Sequence, residues 1–318
     1  MATTLHTALE SRSSRHRRAS ADAPPSLWLS AADGRRLAAD VFEPTGPVRA
    51  AVVIASAMGV PRGYYAAFAR YLAQGGLGVI TFDYRGVGDS RLYESVKDER
   101  ATLRDWGELD VPAAIAAARA RFGAVPTLYV GHSVGGQLFG LDTHDDVAAA
   151  LFVGSQSGYW RHWSGAGRLG MLAMWYLLVP GFTAELGYLP MKFFKQGEDL
   201  PREVARDWAR WGREPSYVMS YAAPKGGGGF RHWSGSLLAY GLDDDGFAPA
   251  RGVRALVSFY EGARAETRVI APAALGEKAI GHFGFFRPRF EENLWREARS
   301  WLLGEAGVVH PKQIDGPA

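Results

Sequence analysis

The chain has 318 residues, long enough for one α/β core with an insertion or for two small domains. It has no cysteine, which excludes disulfides, thiol catalysis and cysteine metal sites and fits a cytoplasmic protein. Its net charge of +3 is matched by the first twenty residues alone, where Arg12, Arg15, Arg17 and Arg18 face only Glu10. The remaining body is neutral and gives no reason to expect nucleic-acid binding.

Residues 1–24 read as a basic, disordered leader outside the fold, without the apolar stretch of a secretory signal. Residues 26–43 read as a hairpin around an Asp33-Gly34 turn. The continuous apolar run from Ala50 reads as a buried parallel strand. Helical spacing over 64–75 stops at Gly76, and a strand begins at Val79. An Ala-rich helix over 106–122 precedes a strand at Thr127, which runs into a glycine-rich turn. A helix, a strand at Ala149, a strand at Leu237, a helix over 249–260, a strand at Thr267 and a helix over 287–303 complete the alternation. This pattern predicts an α/β fold with a mostly parallel sheet covered on both faces.

Residues 157–234 break the alternation. They hold six of the ten tryptophans and the run Gly226-Gly227-Gly228-Gly229, which reads as a flexible joint. The expected organisation is therefore a core of 25–156 and 235–305, a Trp-rich cap over 157–234, and a tail over 306–318. So many indoles suggest a self-packed layer that shapes a binding pocket. The longest apolar segment, Leu169 to Phe182, contains Pro180 and is too short for the ~20 residues of a membrane span. A greasy surface helix is the expectation there, with no stable membrane insertion.

Gly131-His132-Ser133-Val134-Gly135 lies between a predicted strand and a predicted helix. A serine hydroxyl needs a base, and it must stand clear of the backbone for a carbonyl to approach. Glycines two residues before and after permit the tight turn that achieves this, so Ser133 is the candidate nucleophile.

Of eight histidines, position favours His282, between the last strand and the last helix. His6, His16 and His310 lie near the termini, His132 is locked beside Ser133, His144 sits near a helix end, and His162 and His232 fall in the insertion. The carboxylate should end the strand at 237–241, which runs into Asp243-Asp244-Asp245. Asp245 is favoured because Pro249, four residues on, starts the next helix; Asp244 is the close alternative. An oxyanion hole is expected from the amides of Val134 and Met58, each donor typically worth about 3–4 kcal/mol in the transition state.

Asp83 to Ser90 is dense in Gly, Asp and Arg but lacks the ending of a phosphate loop, so it reads as a structural turn braced by Asp83 and Arg85. No metal spacing stands out, and no cofactor is expected.

The series Ala57-Met58-Gly59-Val60, Tyr64-Tyr65, Asp83 to Ser90, Gly131 to Gly136, and the Asp cluster before Gly281-His282 resembles the α/β-hydrolase superfamily. Gly158-Tyr159-Trp160, Gly187 to Pro190, Gly197 to Pro201 and Trp208 to Trp211 look like a bacterial branch related to serine-aminopeptidase-like and lysophospholipase-like proteins. The resemblance spans roughly residues 25–305 and implies Ser133, His282 and one Asp of the cluster as a triad. The chain departs from it in its basic leader and in Ala57, where many relatives have His-Gly.

These readings predict a serine hydrolase that cleaves a carboxylic ester, amide or thioester of a small, apolar acyl or aromatic substrate. Acyl transfer to another acceptor and a catalytically silent binding protein are the alternatives. Substrate identity and oligomeric state are not written in the sequence.

Overall fold

The structure, a computed structural model, describes residues 26–193 and 197–307. The expected leader, the histidines His6, His16 and His310, and the tail beyond Gly307 lie outside the described residues.

Among the described residues ten strands occur in chain order: β1 (Ser26–Ser30), β2 (Arg36–Phe42), β3 (Ala50–Ala55), β4 (Leu77–Phe82), β5 (Thr127–His132), β6 (Val147–Val153), β7 (Tyr188–Leu189), β8 (Leu200–Pro201), β9 (Ser236–Leu242) and β10 (Arg264–Ile270). Eight of them form one sheet in the order β1-β2-β4-β3-β5-β6-β9-β10, while β7 and β8 pair separately. The hairpin β1–β2 is antiparallel and so is its junction with β4; every pairing from β4 to β10 is parallel.

A parallel strand needs a crossover, and the chain supplies helices for it. Helix Ala66–Gln74 links β3 to β4, and the continuous helical run from Leu103 to Phe122 links β4 to β5. The alternation along β3 divides its side chains between two apolar layers. Ala51, Val53 and Ala55 join Trp106 and Tyr129 on one face. Val52 and Ile54 join Phe68 and Trp295 on the other. All six residues of β3, β4 and β5 are buried, as continuous apolar strands covered on both faces must be.

The turn after β4 is structural, as its composition suggested. The Asp83 carboxylate accepts from the Arg62 amide at 2.6 Å and from the Asp89 amide at 3.1 Å, and pairs with the Arg62 guanidinium. Arg85 pairs with Asp110 and Asp33, bracing three segments.

The insertion between β6 and β9 is mainly helical. It includes Gly165–Ala173, a π-turn over Met174–Leu178, Val179–Glu185, Arg202–Arg213 and Gly228–His232. Trp175 is its anchor, fully buried, with Nε1 donating to the Gly158 carbonyl at 3.0 Å. In the glycine run, Gly228 and Gly229 make a packed contact. A Cβ on Gly229 would lie 2.4 Å from the Asp142 carbonyl oxygen, and one on Gly228 would lie 2.8 Å from that of Gly140. Those glycines let the insertion seat its backbone on the segment after the Ser133 helix.

Candidate active site

The site is built at the carboxyl edge of the central strands. Ser133 follows β5 with φ 53° and ψ −114°, one of two non-glycine residues with positive φ among those described. A side chain pays for that conformation, so its persistence implies that the surroundings enforce it. The enforcement is visible. Gly131 lies so close to the following helix that a Cβ would sit 2.5 Å from the Gly136 nitrogen. Gly135 lies against β3, where a Cβ would sit 2.4 Å from the Ala55 carbonyl oxygen. The Ser133 amide donates to the Val153 carbonyl at the end of β6.

Asp245 and His282 meet. His282 Nδ1 lies 2.6 Å from Asp245 Oδ2, and both residues are buried. The second oxygen, Oδ1, accepts from the Phe247 and Ala248 amides at 2.8 and 3.0 Å, which fixes the carboxylate's orientation. Asp244 is turned the other way: its oxygens accept from the Ile280 and Gly281 amides at 2.8 and 3.0 Å. The adjacent carboxylates thus divide the labour, one on the imidazole and one on the backbone of the loop that carries it.

Gly154, which the sequence did not single out, lies under this pair. Its φ is 57°, and a Cβ there would approach His282 Nδ1 and Asp245 Oδ2 to 3.2 Å. The clue in the sequence was a glycine directly after the strand neighbouring the Ser133 strand. Because the Ser133 amide bonds to Val153 and His282 rests on Gly154, the two residues share one edge of the sheet. Among the described residues no direct hydrogen bond joins them.

His132, locked beside Ser133, is a connector. The Ala57 amide donates to the Tyr65 hydroxyl oxygen at 2.8 Å. That hydroxyl lies 2.8 Å from His132 Nδ1, and His132 Nε2 lies 2.9 Å from the His282 carbonyl oxygen. Burial, followed by the nearby His282, pushes the His132 pKa well below the usual histidine range, so the ring is neutral.

The loop after β3 runs beside the Ser133 turn, because Ala55 pairs with Gly131. A tight turn, with the Val60 amide on the Ala57 carbonyl, carries Met58, which is buried. Val134 is the first residue of the helix Val134–Leu138, and the first amides of a helix have no partner within it. The insertion ties into this loop: the Glu198 amide donates to the Gly59 carbonyl at 2.7 Å, and its carboxylate accepts from the Gly88 amide and Arg91, each at 2.9 Å.

Two open depressions adjoin the site. One, of about 550 Å³, is lined by His282, Phe283, Arg287 and Arg289. The other, of about 530 Å³, is lined by Val60, Pro61, Tyr64, Phe283 and Arg287. Among the described residues no group of three or more His, Asp or Glu could hold a metal ion.

No curated protein matches the chain in sequence. Solved structures do match in fold. An esterase from Exiguobacterium antarcticum aligns with TM-score 0.55 at 15% identity over 89% of this chain and 99% of its own. A thermostable carboxyl esterase from Bacillus coagulans aligns with TM-score 0.60 at 13% identity over 89% and 98%. A lipase in an open form gives TM-score 0.60 at 13% identity over 89% and 99%. At such identities the likeness is one of fold, and the fold is that of an α/β hydrolase. In sequence, residues 46–208 match the family described as serine aminopeptidase, S33, which is more than half of the chain. The β3–β6 core, the Ser133 turn and the first part of the insertion all fall within that match, and the chain belongs to this family of α/β hydrolases.

Proposed function

We propose that this hydrolase cleaves a carboxylic ester through an acyl-enzyme on Ser133. The observation that carries the reading is the 2.6 Å contact between His282 Nδ1 and Asp245 Oδ2, made at the sheet edge that presents Ser133 in a strained turn. Asp245 holds the proton on Nδ1 and leaves Nε2 unprotonated and basic. Nε2 takes the Ser133 proton as Oγ attacks the substrate carbonyl. The Met58 and Val134 amides stabilise the resulting oxyanion. As the tetrahedral species collapses, His282 returns the proton to the leaving alcohol, and water then repeats the sequence to release the acid. The Ser133–His282 hydrogen bond forms when substrate seats, since such bonds are commonly long before binding.

Phe283, Tyr64, Val60 and Pro61 beside the site favour an apolar acyl or aromatic group on the substrate. The helical insertion acts as the cap over this groove, tied down through Glu198. A series of p-nitrophenyl esters of increasing acyl length tests the reading. Wild type should turn over the series with a preference for longer chains, and Ser133→Ala should lose roughly 10³-fold or more in kcat. Equal turnover by the variant contradicts it.

A further inference from the structure

We infer that the outer face of the helical run Gly165–Glu185 is a docking surface for an anionic lipid membrane, on which the protein lies without spanning it. The first observation is the spacing of its apolar residues. Leu169, Leu172, Ala173, Tyr176 and Leu177 recur at i, i+3, i+4, i+7 and i+8, the stripe that an amphipathic helix of a water-soluble protein turns toward its core. Here the stripe faces out. The opposite side carries Trp175, Val179 and Thr183, all fully buried. Leu169 is 68% exposed, Leu177 69% and Tyr176 47%, and the five stripe residues line one shallow depression of about 410 Å³. Leu178 and Leu186 extend the exposed apolar surface. Contiguous apolar surface of this kind marks a binding face, whereas a single exposed leucine does not.

The second observation is the charge around it. Arg168 precedes Leu169 and reaches the Trp163 carbonyl; Arg213 stacks over the Tyr176 ring at 5.2 Å; Arg161 lies over Trp160 at the start of the segment. None of these three guanidinium groups forms an ion pair among the described residues. The carboxylates of the neighbouring helix Arg202–Arg213 are already engaged, Glu203 with Arg206 and Asp207 with Arg104 and Arg210. An apolar face flanked by unpaired arginines complements a surface of acyl chains beneath anionic headgroups. No described helix is long and apolar enough to cross a membrane, so the contact is lateral.

The test is co-sedimentation of the full chain with vesicles of phosphatidylcholine alone or mixed with phosphatidylglycerol. Binding is read without turnover, so its outcome is independent of the proposed chemistry. Wild type should bind the mixed vesicles about tenfold or more tightly than the neutral ones, and salt should weaken it. The double variant Leu169→Ser/Leu177→Ser should lose binding to both. Arg168→Gln/Arg213→Gln should lose the preference for phosphatidylglycerol. Leu169 and Leu177 avoid the core and the site, so their variant should melt like wild type, whereas the arginine variant gives up hydrogen bonds to the Trp163 and Trp175 carbonyls and should melt slightly lower; both should retain turnover of a soluble short-chain ester. Absent binding, equal binding to neutral vesicles, or binding indifferent to the leucine variant overturns the inference. So does a dimer, seen by light scattering, that the leucine variant dissolves, because the face would then serve a second copy of the chain.

Discussion

The ring of His132 holds the main chain of His282: His132 Nε2 donates to the His282 carbonyl oxygen at 2.9 Å. The tautomer follows from the partners. The Tyr65 oxygen already accepts from the Ala57 amide, so its one proton points to His132 Nδ1, and the ring proton must sit on Nε2. One neutral histidine, directly before Ser133, thereby couples the loop of Met58 to the loop of the proposed base.

Replacing His132 by Phe removes both bonds and leaves the Tyr65 hydroxyl and the His282 carbonyl without partners. Each buried unsatisfied group costs about 1–3 kcal/mol, so the melting temperature should fall. A purely structural role would stop there. The positioning role predicts in addition a kcat lowered about tenfold or more with KM nearly unchanged, measured on a short-chain ester. Tyr65→Phe should show the same split more mildly.

The two aspartates should separate in kinetics. Asp245→Asn removes the acceptor that fixes the His282 tautomer, and kcat should fall on the order of 10³–10⁴-fold with the fold intact. Asp244→Asn weakens only the contacts to the Ile280 and Gly281 amides. It should cost stability and less than about tenfold in kcat. Steady-state kinetics and thermal melts of the two variants, side by side, check the assignment.

Gly154→Ala introduces a Cβ at a positive φ, about 3.2 Å from the imidazole and the carboxylate. Strain of roughly 1–2 kcal/mol is expected from the backbone alone. Any relief by moving His282 should appear as a loss of kcat exceeding the effect on melting. An alanine variant as active as wild type would show that the pair does not need the space.

His144 should withdraw stability in mild acid. His144 is buried, and desolvation holds its pKa at about 4, below the 6.5 of an exposed histidine. The unfolded chain therefore binds a proton that the folded one refuses, and unfolding becomes easier as pH drops below about 6.5. At pH 5 the loss from His144 alone is about 2 kcal/mol, with a further loss from His132, whose pKa is also depressed. The difference in urea unfolding between wild type and His144→Phe at pH 7 and pH 5 measures it, because the buried Asp110 carboxyl, pushed up to about 7, works in the opposite direction in both proteins. His144→Phe, which retains packing on Phe139, should flatten the pH dependence without removing it.

The fold was legible because its signals are local. Continuous apolar runs mark β3, β4 and β5, and glycines around Ser133 mark a turn that only a close approach of strands and helix demands. Asp245 could be preferred over Asp244 from its spacing to Pro249, yet which of the two meets the imidazole depends on contacts to residues 280–282, 36 and 37 positions away. The role of His132 was invisible for the same reason. It depends on Tyr65 and on the His282 carbonyl, 67 and 150 positions distant in sequence. The run Gly226–Gly229 shows the converse: composition suggests freedom along all four residues, whereas Gly228 and Gly229 are packed against Gly140 and Asp142.

The most direct measurement is the site of a covalent adduct. A fluorophosphonate mimics the tetrahedral species and reacts only with a serine whose proton is taken by a nearby base. Peptide mapping after treatment should find one adduct, on Ser133. The adduct should be absent from Ser133→Ala and formed at a greatly reduced rate in His282→Ala. An unlabelled wild-type protein, or a modified serine elsewhere, contradicts the account.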